Sequence, residues 1–237
     1  MRLAVISDIH GNSLALAAVL ADIRAEGADA IVCLGDNVSG PLDPAGAAEM
    51  LMGLGCVAVA GNHDRWIFGD TPDLIDRFAV SRLSPAHQLW LSGLPATQVL
   101  DGEVFLCHGT PTSDEMPWLD NFYTGRRTEL PDEATVAAHA DGLDFPVLLC
   151  GHTHIARCVR LKDGRLIVNP GAVGLQVIIG SPDARYALLD RREGQWSVSL
   201  RTVPYDHAGA ADQAARNGFA QWRDVLMHGW DGPEGLF

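Results

Sequence analysis

Residues 3–10 read L-A-V-I-S-D-I-H, an apolar run that stops at Asp8 and is followed by Leu16, Val19, Leu20 and Ile23 at helical spacing. This is a strand, a loop and a helix. The order recurs in A-I-V-C-L before Gly35-Asp36, where Asp43-Pro44 gives the next helix an N-cap and a first-turn proline, and V-A-V-A before Gly61-Asn62 is a third strand. Three strands with helical crossovers imply right-handed β-α-β units and a parallel sheet.

Beyond residue 70 the pattern changes. Residues 74–80 and 85–91 read as helices, and Q-V-L-D-G-E-V-F-L reads as a hairpin turning at Asp101-Gly102. Residues 132–141 look helical, V-L-L-C is a strand, C-V-R-L-K-D-G-R-L-I-V is a second hairpin about Asp163-Gly164, and residues 186–200 form a third. Parallel units first and antiparallel hairpins later predict two sheets packed face to face with helices outside. One domain is expected over 1–237, ending in a helical tail from about 206 to 237. Residues 206–228 read as an amphipathic helix with Phe219, Trp222 and Leu226 on the face that docks on the core. A contact in a homo-oligomer is the alternative use of that face.

With 47% hydrophobic and 20% charged residues, the composition is that of a chain able to bury a large core. Its formal charge of -13 disfavours non-specific nucleic-acid binding and anionic membranes, since both require cationic surface. No apolar run reaches the roughly 18 residues of a membrane span, and Asp8 interrupts the N-terminus before a signal peptide could form, so a cytoplasmic location is expected. The five cysteines are odd in number and lack a C-x-x-C pair, which argues for reduced thiols. Cys33, Cys107 and Cys150 lie in apolar strands and read as small buried residues.

Nearly every apolar strand ends in a side chain able to hold a metal: Asp8 and His10, Asp36, Asn62 and His63, His108, then His152 and His154 of C-G-H-T-H. Side chains at the carboxyl ends of strands in such sheets converge on one site. A single histidine there is usually just hydrogen-bonded; this many at five strand ends is hard to explain without a ligand. Carboxylate, amide and imidazole without thiolate favour Mn, Fe, Zn, Ni or Co, and the donors are too many for one tetrahedral ion, so two divalent ions sharing a carboxylate fit best.

D-I-H, G-D-N, G-N-H-D, H-G-T and G-H-T-H, in this order, resemble the five signature blocks of the calcineurin-like metallophosphoesterase superfamily. L-G-D-N-V-S-G-P-L-D-P and the late N-P-G-A-V-G are similar to its small prokaryotic phosphodiesterase-like branch. The resemblance implies a four-layer α/β/β/α sandwich of two mixed sheets flanked by helices. It further implies that Asp8, His10, Asp36 and His154 bind one metal, and that Asp36, Asn62, His108 and His152 bind the other, with Asp36 bridging.

The same resemblance implies that a metal-bridging hydroxide attacks phosphorus, that His63 donates a proton to the departing alkoxide, and that Asp64 orients its ring. His152 and His154, one residue apart, would then serve different metals, with Gly151 allowing close approach of the backbone. The expected activity is that of a phosphodiesterase on a small phosphodiester or nucleotide. The alternatives are a phosphomonoesterase, including protein or dinucleotide phosphatases, and a non-catalytic metal-binding scaffold. Asn37 and residues 39–41 are expected to line the rim, Trp118 and Phe122 to stack on a base, and Arg65, Arg126 and Arg127 to hold a phosphate.

Overall fold

The computed structural model describes residues 1–121, 128–176 and 180–230. Strand β1 (Arg2–Ile6) leads through helix α1 (Ser13–Glu26) to β2 (Ala30–Cys33), and α2 (Pro44–Leu54) leads on to a short β3 (Val57–Ala58). Local chemistry sets the boundaries of these elements. Asn12 caps α1 by accepting from the Ala15 N–H, and Asp43 caps α2 by accepting from the Gly46 N–H, with Pro44 in the first turn as predicted.

β1, β2 and β3 are parallel, and the long hairpin of β9 (Ala184–Arg192) and β10 (Gln195–Val203) adds antiparallel strands, giving the order β10-β9-β1-β2-β3. The second sheet contains β4 (Gln98–Leu100), β5 (Val104–Leu106), β6 (Val147–Leu149), β7 (Arg157–Arg160) and β8 (Leu166–Asn169) in the order β4-β5-β6-β8-β7. Both sheets are mixed. The hairpins about Asp101-Gly102 and Asp163-Gly164 form as predicted, but they supply only the edges. The centre, β5-β6-β8, is parallel. Reading hairpins one at a time misses this, because the parallel pairings join residues far apart in sequence.

Alternation along the strands builds the layers. Leu3, Val5, Val32 and Leu34 face Val104, Leu106, Val147, Leu149 and Val168 across the sheet-to-sheet interface. Ala4 and Ile6 turn the other way, onto Leu16, Val19 and Ile23 of α1 and Leu51 of α2. On the far side of the second sheet, Phe105, Leu148 and Ile167 meet Val136 of α6 (Glu133–His139), together with Ala140. The result is the predicted α/β/β/α sandwich, and it sets the carboxyl ends of β1, β2, β5 and β6 along one rim.

Helices α4 (Leu74–Arg82) and α5 (Pro85–Ser92) form where predicted. The tail is not one helix but α7 (His207–Arg216), a 3-10 turn (Ala220–Trp222) and α8 (Arg223–His228). Gly218, at φ 94°, breaks it. The expected docking face nonetheless forms: Trp222 and Leu226 are buried with Leu42, Ile75 and Leu175, and Phe219 packs against them. Residues 231–237 of the tail lie outside the described residues. Among the described residues no helix is long and apolar enough to cross a membrane.

Candidate metal centre

Asp8 and His10 follow β1, Asp36 follows β2, Asn62 opens α3 (Asn62–Trp66) after β3, His108 follows β5, and His152 and His154 follow β6. All seven are buried. Asp8, His10, Asp36 and His154 form one group of ligand atoms, and Asp36, His108 and His152 form a second, each group lying within 4.8 Å. Asp36 belongs to both. The Asn62 amide oxygen lies beside the second group, 3.0 Å from His108 Nε2.

The backbone is bent to bring these side chains together. Asp8, His10, Asp36, His152 and His154 all have φ between 48° and 70°, a left-handed conformation that ordinary side chains avoid. Each costs on the order of 1–3 kcal/mol, and such conformations persist where the surrounding structure fixes them, as it commonly does at functional sites. A neighbouring loop fixes them here. The backbone N–H groups of Val173 and Gly174 donate to the Ser7 and Asp8 carbonyls, while Asn169 Nδ2 donates to the Gly151 carbonyl at 2.7 Å and to Thr153 Oγ1 at 3.1 Å. This gives the late N-P-G-A-V-G segment a physical role. A Cβ on Gly151 would collide with the Ser7 hydroxyl, so the predicted close approach is real.

The hydrogen bonds around the rim test whether these residues suit a cation. His10, His108 and His154 place Nδ1 2.7 Å from the carbonyl oxygens of Ser39, Leu34 and Leu175. A carbonyl only accepts, so each Nδ1 carries a proton and each Nε2 points into the cluster. For His152 the assignment reverses: Nε2 lies 2.9 Å from the Glu115 carbonyl, and Nδ1 turns inward. His10 Nε2 and His154 Nε2 are 3.2 Å apart, and His154 Nε2 is 3.5 Å from an Asp8 oxygen. Lone pairs and carboxylates in such proximity form a site for a positive ion, and the residues fit one.

Electrostatics set His108 apart from the other three histidines. Burial holds His10, His152 and His154 at about 4, so all three are neutral at ordinary pH. Burial also acts to lower His108, but Asp36, 3.2 Å away, overrides it and raises the imidazole to about 10. Against its own burial, Asp36 is held well below the carboxylate range by His108 and His63. The sign follows from linkage: without a cation, the contribution of His108 to stability is complete below 6.5 and is lost as pH rises towards 10. A cation bound by the Asp36 and His108 group must displace that proton. Its apparent affinity is therefore expected to rise about tenfold per pH unit between roughly pH 6.5 and 9, while affinity at the His10 and His154 group changes less. Calorimetric metal titrations at several pH values measure this, and a flat affinity at both sites would contradict it.

His63 sits beside the cluster, its ring centroid 5.3 Å from that of His10. Asp64 does not orient it. That carboxylate accepts instead from the backbone N–H groups of Gly61 and Asn37 and from Asn37 Nδ2, and so ties the G-D-N turn to the G-N-H-D turn. Burial and the nearby Asp36 charge raise Asp64 to about 6. The group that faces His63 is Asp76, on α4: its Oδ1 lies 3.5 Å from His63 Nδ1 and accepts a short hydrogen bond from Ser39 Oγ, itself 3.3 Å from that nitrogen. Against the lowering effect of burial, Asp36 and Asp76 raise His63 to about 8. No local signal marks Asp76, which reads as an ordinary first-turn acid.

Three substrate contacts expected from the sequence are corrected. Asn37 is fully buried and occupied with Asp64 and the Cys33 thiol, so it does not line the rim. Trp118 is a core residue, 2% exposed, donating from Nε1 to the Val136 carbonyl. Arg65 directs its guanidinium to Asp114 at 2.9 Å and Glu115 at 2.7 Å, so it is already engaged with two carboxylates. Phe122, Arg126 and Arg127 lie outside the described residues. Cys33, Cys107 and Cys150 are buried, and burial pushes all three thiols up, as expected of inert core residues.

Residues 1–194 match the family model described as the calcineurin-like phosphoesterase superfamily domain. The chain belongs to that superfamily. As a phosphoesterase of this kind it is a metal-dependent hydrolase. It is similar to the uncharacterized protein MJ0912 of Methanocaldococcus jannaschii, 27% identical over 93% of this chain and 94% of that protein. Among solved structures, a metallophosphoesterase from Sphaerobacter thermophilus superposes with a TM-score of 0.75 at 28% identity, covering 92% of this phosphoesterase and 95% of that chain. Hypothetical protein PH1004 from Pyrococcus horikoshii OT3 shares the fold at a TM-score of 0.81 and 19% identity, over 98% and 99% of the two chains.

Proposed function

We propose that this phosphoesterase is a dinuclear metal-dependent phosphohydrolase acting on a small phosphodiester or nucleotide. The observation that carries the reading is the sharing of Asp36 by two buried ligand groups. Four donors around His10 and His154 would hold one ion, and Asp36, Asn62, His108 and His152 would hold the other. Oxygen and imidazole donors suit Mn, Fe, Zn, Ni or Co. Two such ions, when bound, supply Lewis acidity to a water and to the phosphoryl oxygens.

The protein's own groups do the rest. With two divalent ions held there, the ligand loops would form a local anion-attracting spot in a chain of formal charge -13. With Nδ1 turned to Ser39 and Asp76, His63 is assigned to hand the proton on Nε2 to the departing alkoxide, and its value near 8 keeps it protonated at neutral pH. Asp76 and Ser39 fix the ring for this transfer. Asp76→Asn is therefore expected to lower kcat by about 10- to 100-fold for alkyl esters, which need protonation, and by much less for p-nitrophenyl esters. Bound metal should be unchanged. Equal losses on both substrates would remove Asp76 from this role.

Hydrolysis of bis(p-nitrophenyl) phosphate beside p-nitrophenyl phosphate by the Mn-loaded protein tests the proposal. Faster cleavage of the diester is expected. A monoester preference would make the enzyme a phosphomonoesterase, and no cleavage of either by metal-loaded protein would favour a scaffold.

A further inference from the structure

The cavity above the metal ligands has a volume of about 420 Å³, and its walls include Trp66, Glu115 and Leu175 beside the histidines. That is the size of a small-molecule site rather than of a phosphate alone. The position of His63 identifies which part of a substrate lies where. A group that protonates the departing oxygen must touch it, so whatever that oxygen carries leaves the metals on the His63 side. Trp66 is on that side: its ring centroid is 4.9 Å from that of His63, on the same short helix α3.

The indole is both fixed and accessible. Its Nε1 donates to Glu115 Oε1 at 3.3 Å, and Arg65 holds the same oxygen at 2.7 Å, which clamps the rim loop to α3. Yet Trp66 remains 37% exposed, with Phe68, two positions on, at 42% and Met116, next to Glu115, at 49%. A large aromatic surface held open beside a reaction centre is a stacking platform, whereas a structural tryptophan, such as Trp118 here, is enclosed.

Charge narrows the occupant. Among the described residues, Asp114 and Glu115 face Arg65 at this rim, a negative edge that disfavours a leaving group carrying further phosphates. The known bonds to Glu115 fall on Oε1, so Oε2 remains to accept from a sugar hydroxyl or an exocyclic amine. We infer that Trp66 and Glu115 form a leaving-group subsite that selects a neutral nucleoside, its base stacked on the indole. This rests on the proposed phosphohydrolase reading and names the alcohol released.

Equilibrium binding to the metal-loaded full chain tests it without requiring turnover. The probes are inorganic phosphate, ethyl phosphate and adenosine 5′-phosphate, whose phosphates sit on similar alkyl oxygens except in the first. For the wild-type protein, adenosine 5′-phosphate should bind roughly five- to a hundredfold tighter than ethyl phosphate, the range of a base stacked on an aromatic side chain. Trp66→Ala should abolish that ratio while leaving inorganic phosphate within about twofold, and Trp66→Phe should restore most of it. Adenosine 5′-diphosphate should bind no tighter than the monophosphate. Phosphate binding with no nucleoside preference, or a preference that survives in Trp66→Ala, would overturn this inference alone. Failure to bind any phosphate would overturn the phosphohydrolase reading as well.

Discussion

Asp36→Asn is expected to lower phosphoester hydrolysis by about a thousandfold or more while the sandwich stays folded. Asp36 is the carboxylate common to both ligand groups, with Oδ2 3.2 Å from His108 Nε2 and 3.8 Å from His10 Nε2. The amide is nearly isosteric, but it carries no charge and offers only one oxygen to two ions. It can still accept the 2.9 Å hydrogen bond from the His63 backbone N–H, so the local turn should survive. Bound metal, measured by mass spectrometry, should fall below the wild-type ratio, and His108, without its main partner, should no longer hold its proton to about 10. Hydrolysis within tenfold of wild type would mean that Asp36 does not bridge.

His63→Ala separates chemistry from metal binding. His63 is not among the residues that form the two ligand groups, so bound metal should match wild type. Loss of a general acid removes about 10²- to 10⁴-fold in kcat. The loss should be steepest for alkyl leaving groups and partly reversed by added imidazole. The effect should also depend on pH in one direction: His63, near 8, is protonated and competent below that value and loses its proton above it, so the wild-type advantage over the variant should shrink in alkaline buffer. Unchanged turnover in the variant would take His63 out of the reaction.

Much of this molecule is legible without coordinates, for identifiable reasons. The apolar run of residues 3–6 is a local pattern that marks a buried strand, while the packing shows which of its side chains enter the inter-sheet core and which meet α1. Donor residues at strand ends are likewise local, and the topology of parallel strands makes them converge. The rest depends on contacts across the chain. Asp64 follows His63 in sequence but is drawn to Asn37, 27 positions away, whereas Asp76 reaches Ser39, 37 positions away, from a different helix. Trp118 and Trp66 both follow metal motifs. Only packing against Val136 of α6 shows that the first is enclosed, and only the bond to Glu115 shows that the second is held at the rim.

The central claim is that two ions share Asp36, and a stepwise metal titration followed by both bound-metal analysis and hydrolysis tests it most directly. Metal-stripped protein would receive increasing Mn, with ions per chain and rate recorded at each point. Saturation at two ions per chain, with activity appearing chiefly as the second site fills, is the expected result. Full activity at one ion per chain, with no further binding, would contradict it.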